Sequence, residues 1–204
     1  MEPNAASPLT QIKDVIVAIA AIVTSGAAVA ALFRWRAETI WRDNRELARS
    51  IVRACLRVRD GFGYVRNPLI LPAEFPDDPP VHPVQDAEDR YQQNVHVYQN
   101  RINQLNDGMQ ELETAVLEAE ALWGSEIEDL MRKVRRCRTD LVYLLQDYLS
   151  NINSGHTELR DDRERWEKVQ AGVHASRADD DELSEQIRSA LDALLALAEK
   201  HLKR

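Results

Sequence analysis

The side chains of this chain best equipped to do chemistry are arginines. Arg59 and Arg66 stand seven residues apart on one flank of an apolar helical face, with Asn67 and Pro68 closing the helix behind them. A permanently charged planar fork on such a face takes a carboxylate or a phosphate through two parallel hydrogen bonds. Two partners satisfy that chemistry. Buried carboxylates of a neighbouring helix are the first expectation for Arg59 and Arg66, and a bound anion is the second.

No other constellation of reactive groups is spelled out. His82, His96, His156, His174 and His201 share no HExxH or paired spacing, and the chain has no P-loop, no GxGxxG and no GxSxG. Catalytic, cofactor-binding and metal-binding residues are therefore expected to be none, and the chain reads as non-enzymatic. Cys55 and Cys137 are in no metal-ligand spacing such as CxxC and read as small, reduced, apolar packing residues.

What positions these groups begins with a run of nineteen uncharged, mostly apolar residues, 15–33. At ~1.5 Å per helical residue it reaches about 28 Å, close to the hydrocarbon thickness of a bilayer. Its valines, isoleucines, Leu32 and Phe33 together contribute about −4 kcal/mol to insertion, part of which the alanines, Thr24, Ser25 and Gly26 return. The expectation is a single retained transmembrane helix. A cleavable signal peptide fits less well, because the apolar stretch is too long and no basic cluster precedes it. Arg34, Arg36, Arg42, Arg45, Arg49, Arg53, Arg57, Arg59 and Arg66 all follow the run, whereas residues 1–14 carry Lys13 against Glu2 and Asp14. The excess of arginine predicts residues 1–14 outside and the rest in the cytoplasm, with a bacterial inner membrane as the expected location. Arg34, Trp35, Arg36, Trp41 and Arg42 are then placed to meet anionic headgroups, and Ala20, Thr24 and Ala28, four apart, offer a small-residue face for self-association in the membrane.

Residues 34–66 continue as an amphipathic helix. Ile40, Leu47, Ile51, Ala54, Cys55, Val58, Phe62 and Val65 gather on one side, while Arg42, Arg45, Arg49, Arg53 and Arg57 gather on the other. The arginine stripe is either a solvated face or a lipid-facing one. Residues 34–66 hold nine arginines against four acids, and residues 67–131 hold fourteen acids against Arg90 and Arg101. The simplest account of that division is that the basic helix docks against the acidic stretch. A net charge of −8 and no aromatic interleaving in the cluster Arg132, Lys133, Arg135, Arg136 and Arg138 disfavour nucleic acid as a partner.

Six prolines confined to residues 67–86 mark a linker, and none follows. Beyond it, Tyr91, Val95, Tyr98, Ile102, Leu105, Met109, Leu112, Val116, Ala119 and Trp123 form a heptad seam. Ile127, Leu130, Val134, Cys137, Leu141, Leu144 and Tyr148 form a second. Gly124 supplies a helix C-cap and Ser125 with Glu128 a capping box, so the preferred fold is an antiparallel coiled-coil hairpin rather than one continuous helix. Residues 158–171 are charged, with Trp166 as the apolar anchor of a short exposed helix or connection. A last helix, capped by Asp179 and Glu182, carries a wide stripe through Leu183, Ile187, Leu191, Leu194 and Leu202.

The expected fold is thus all-α: residues 1–14 as a tail, 15–33 in the membrane, 34–66 juxtamembrane, 67–86 a linker, and 87–204 a helical hairpin plus C-terminal helix. The expected function is a membrane-anchored interaction or scaffold module that binds the bilayer and a protein partner or itself as a homo-oligomer. The alternative is an effector whose spanning helices assemble into a pore or perturb the bilayer.

Overall fold

The computed structural model of the chain describes residues 8–75, 87–153, 162–175 and 181–203; within them, nothing is stated of the side chains of residues 8–16, 18, 20 and 87. The described residues form five α-helices and no strand: α1 (Pro8–Val65), α2 (Ala87–Trp123), α3 (Glu126–Asn153), α4 (Arg163–Val173) and α5 (Glu182–Lys203). A single 3-10 turn, Pro72–Glu74, lies between α1 and α2. The chain divides into two compact units, Met1–Asn44 and Arg45–Arg204.

The segment expected to span and the juxtamembrane segment expected to continue it belong to one unbroken helix, α1. No proline interrupts it after its first turn. All side chains of residues 21–38 are exposed. Ile22, Val23 and Phe33 are among the most exposed apolar groups, at 72%, 65% and 66%. Among the described residues, no helix is long and apolar enough to cross a membrane. The structure therefore gives the expected transmembrane helix no support, and the side chains of Val15, Ile16, Ala18 and Ala20, which belong to the expected span, lie outside the described ones. Ile40 departs from its expected apolar face and is 51% exposed.

The second unit is a helical bundle. Its portion of α1 buries Leu47, Ile51, Ala54, Cys55, Val58, Phe62 and Val65, the apolar side expected from the sequence. Two glycines allow α1 and α2 to approach closely. A Cβ on Gly61 would meet the Leu105 Cα at 3.1 Å, and one on Gly108 would lie 3.5 Å from the Val58 amide nitrogen. The hairpin forms as expected: α2 ends at Trp123 and α3 begins at Glu126. Gly124 supplies the positive φ of 90° that an L side chain resists. Its amide donates to the Glu120 carbonyl at 3.0 Å, and Glu128 donates its amide to the Ser125 carbonyl at 3.1 Å. Cross-pairs Arg135 with Glu113 and Arg138 with Asn106 show that the two arms run antiparallel.

Burial adjusts the seams. In α2, Leu105, Met109, Leu112, Val116 and Ala119 are buried as expected. In α3 the buried line is Ile127, Met131, Val134, Cys137, Leu141 and Leu145, whereas Leu130, Leu144 and Tyr148 are half-buried. The inward face is broader than a two-helix seam because α3 packs against α4 and α5 as well as α2. The segment expected as a short exposed helix is one: of its described residues 162–171 only Val169 is buried, and half-buried Trp166 stacks on Tyr148 at 5.7 Å, while Gly172 and Val173 just beyond it are buried. The N-cap of α5 is Asp181, which accepts the Ser184 amide at 2.9 Å. Asp179, expected to cap this helix, lies outside the described residues.

Candidate functional site

Two desolvated arginines organise the polar interior of the second unit. Arg66 follows the last residue of α1 and is 2% exposed. Its Nε donates to the Gly172 carbonyl at 2.9 Å and one Nη2 hydrogen to the Ala171 carbonyl at 3.0 Å, both in the last turn of α4. Those carbonyls lack helical partners by construction and sit at the negative end of the helix dipole, which is where a cation is best placed. Nη2 also donates to Asp181 Oδ1 at 2.7 Å, and Nη1 to Ser184 Oγ at 2.7 Å. The Arg66 carbonyl accepts the Ala175 amide at 3.0 Å. One residue thus closes α1, caps the end of α4 and pairs with the cap of α5. Burial raises the Asp181 pKa, but the hydrogen bonds from Ser184 and the charge of Arg66 outweigh it and hold the carboxyl below its usual range.

Arg101, on α2, is fully buried. It takes Glu74 with both arms of its fork, Nε to Oε2 at 2.6 Å and Nη2 to Oε1 at 2.9 Å. It also donates to the carbonyls of Asn67 at 2.6 Å and Leu69 at 2.7 Å. The guanidinium lies 5.0 Å from the Tyr64 ring centroid and 5.8 Å from that of Tyr98. Tyr64 Oη donates to Glu74 Oε2 at 3.0 Å, and the Leu71 amide donates to Glu74 Oε1 at 2.9 Å. Arg101 beside Glu74 pulls that carboxyl down to about 2. The first part of the proline-rich segment is therefore strapped to α2 rather than slack, while residues 76–86 lie outside the described ones.

The two arginines singled out from the sequence part company. Arg66 meets a half-buried carboxylate from a neighbouring element, close to the first of the two expectations. Arg59 is exposed, its closest acid being Asp60 at 3.8 Å. Both border a groove of about 420 Å³ between α1 and α5, whose floor includes Phe62, Ile187 and Leu191. Arg101, Glu74 and Asp181 were not singled out. The signal for Arg101 was its spacing, three after Tyr98 and four before Leu105, which places it on the buried face.

Several of the remaining cations pair with acids. Arg57 pairs with Glu111 across α1 and α2, as the charge division anticipated. Arg135 joins Glu113 and Glu128, and Arg132 joins Asp129, which takes two of the five cations of the basic cluster of α3 into ion pairs. Arg34, Trp35, Arg36, Trp41 and Arg42 are all exposed, with Arg42 3.3 Å from Glu38. Thr24 and Ala28 are exposed, and the Ala20 side chain lies outside the described ones.

Cys55 and Cys137 are buried and unbonded to each other. Burial pushes the Cys55 thiol up to about 12, which removes the thiolate needed for nucleophilic or metal chemistry. No group of three or more His, Cys, Asp or Glu able to hold a metal occurs among the described residues. The His174 ring meets Tyr148 edge-on at 5.2 Å, and burial, with Arg101 and Arg66 nearby, lowers its pKa. These are packing residues of a polar interior, and no nucleophile and base come together among them. Comparison with protein-family models, with curated proteins and with solved structures finds no match for this chain.

Proposed function

We propose that this protein is a membrane-tethered, non-enzymatic helical interaction module, with residues 15–33 as the spanning segment, residues 1–14 outside and the bundle in the cytoplasm. The observation that supports it is the contrast within α1. From residue 45 onward the helix hides one apolar face in a core, whereas residues 21–33 are exposed on every side although almost all are apolar. A helix apolar all round needs apolar surroundings, and a bilayer supplies them. Exposed Trp35 and Trp41 interleaved with Arg34, Arg36 and Arg42 suit a headgroup layer. The bundle then carries the binding function, to a protein partner or to a second copy.

The test is to extract membranes from cells expressing the full chain and the fragment 35–204. The full chain should resist salt and alkaline washing, and a reporter fused at Arg204 should be active only in the cytoplasm. The fragment should be released and remain helical by circular dichroism. Full-length protein that washes off with salt, or an exported reporter at Arg204, overturns the proposal. Crosslinking in intact membranes identifies the partner. Toxicity of the full chain that disappears with deletion of residues 15–33 would favour the pore reading, for which the small face of Ala20, Thr24 and Ala28 is the supporting feature.

A further inference from the structure

His174 stands where the two arginine networks of the second unit meet α4. Its amide closes that helix by donating to the Gln170 carbonyl at 2.9 Å, and the next amide, of Ala175, donates to the Arg66 carbonyl. The half-buried ring is set edge-on against Tyr148 of α3 at 5.2 Å. Tyr148 in turn meets Tyr98 of α2 edge-on at 5.9 Å and stacks on Trp166 of α4 at 5.7 Å. Ring Nδ1 is shielded from solvent and has no hydrogen-bond partner among the described residues.

The charges acting on this ring are those of Arg101 on α2 and Arg66 at the end of α1, and both oppose a third cation. The acids of the surrounding elements are engaged elsewhere: Glu74 by Arg101, Asp181 by Arg66, and Asp147 of α3 by Arg165. The negative end of α4 would favour a protonated histidine, but Arg66 already takes its Ala171 and Gly172 carbonyls. A neutral imidazole therefore packs well here. An imidazolium would be partly desolvated beside two guanidinium groups, with its Nδ1–H given no acceptor. The helix that it closes has eleven residues, too few to hold as an isolated helix, so α4 depends on its docking contacts for order.

We propose that His174 is an acid-released latch: neutral, it holds the end of α4 against α3 and the Arg66 junction, and on protonation its ring leaves Tyr148 and α4 comes away from the bundle. The direction follows from linkage. Burial first, then Arg101 and Arg66, hold the folded His174 pKa below the ordinary 6.5. The docked state is thus fully favoured above about pH 6.5 and loses that advantage as pH falls toward the folded value. This regulation belongs to the bundle and does not rest on whether residues 15–33 enter a bilayer.

The test is hydrogen exchange of the full chain in detergent micelles, read by mass spectrometry at pH 7.5 and pH 5 and corrected for intrinsic rates. Protection of peptides covering residues 163–173 should fall by at least about fivefold at the lower pH, while hairpin peptides 105–119 and 127–141 change by less than about twofold. His174→Phe keeps a ring for Tyr148 and takes no proton, so its α4 protection should be the same at both pH values. The His174 ring proton resonances of the parent chain should titrate with a midpoint below 6.5, a measurement that stands even if the variant folds poorly. Parent protection that is independent of pH, the same fall in His174→Phe, a fall shared equally by the hairpin peptides, or a ring midpoint at or above 6.5 overturns the proposal.

Discussion

Replacing Glu74 with Gln removes the one negative charge that faces a fully buried guanidinium. The Arg101 side chain is 0% exposed and that of Glu74 12%. Breaking such a pair from one side costs about 3–5 kcal/mol, chiefly because the partner is left charged and dry. The Asn67 and Leu69 carbonyls still accept from Arg101, and Gln keeps one acceptor, so the lower end applies, about 3 kcal/mol. The titration of Glu74 leads to the same magnitude. Arg101 lowers its pKa from 4.5 to about 2, and at 1.36 kcal/mol per unit that displacement is worth roughly 3 kcal/mol. The sign follows from linkage: the folded pKa lies below the unfolded one, so the stabilisation is complete above about pH 4.5 and disappears as pH falls through about 2. Urea unfolding of residues 35–204, followed by circular dichroism, should give a gap between parent and variant of about 3 kcal/mol at pH 7, shrinking to about half at pH 3. A gap under about 0.5 kcal/mol at pH 7, or one that is the same at both pH values, would refute the reasoning.

Leu112 and Leu141 are both 0% exposed on the facing arms of the hairpin; each change to Ala should cost about 2–5 kcal/mol in the same urea assay, and losses below about 0.5 kcal/mol at both would mean the arms do not form the core. Gly61→Ala pushes a Cβ against the Leu105 backbone at 3.1 Å, so it should destabilise by about 1–3 kcal/mol. Gly63→Ala enters open space within the same helix and should instead stabilise by about 0.5–1 kcal/mol; equal effects at the two glycines would count against the close α1–α2 crossing.

What the sequence disclosed was whatever repeats. A four-and-three spacing over α2 identified its buried line down to Leu112 and Ala119, and one face of α1 from Leu47 to Val65 was legible on a helical wheel. The break at Gly124 was legible because a positive φ has a residue signature. Less visible was which way α3 turns. Met131 and Leu145 replace Leu130 and Leu144 at full burial because α4 and α5 claim part of that helix, and no local pattern announces a third neighbour. The polar interior was harder still. Arg101 stood in a strongly acidic stretch and passed for surface, and Glu74 stood among prolines that mark a linker by composition. Both are defined by partners distant in sequence, Arg101 by residues 27 to 34 positions away. Arg66 was noticed because it closes an apolar face, yet its acceptors lie 105 to 118 residues downstream.

Those separations bear on why arginine is used at all. A buried ion pair contributes little net stability, since the desolvation of both partners offsets most of their attraction, and an apolar pair of similar volume would often serve as well. At position 66 that substitution is not equivalent. The acceptors there include the Ala171 and Gly172 carbonyls of the last turn of α4, which an apolar residue would leave without this donor. The same holds for the Asn67 and Leu69 carbonyls around Arg101, which belong to a segment without regular structure. In both places a five-donor planar group resolves a backbone problem that an apolar side chain cannot. It also fixes register, because the fork accepts only one arrangement of carbonyls and carboxylate. The end of α1 is therefore held at defined positions against α2, α4 and α5.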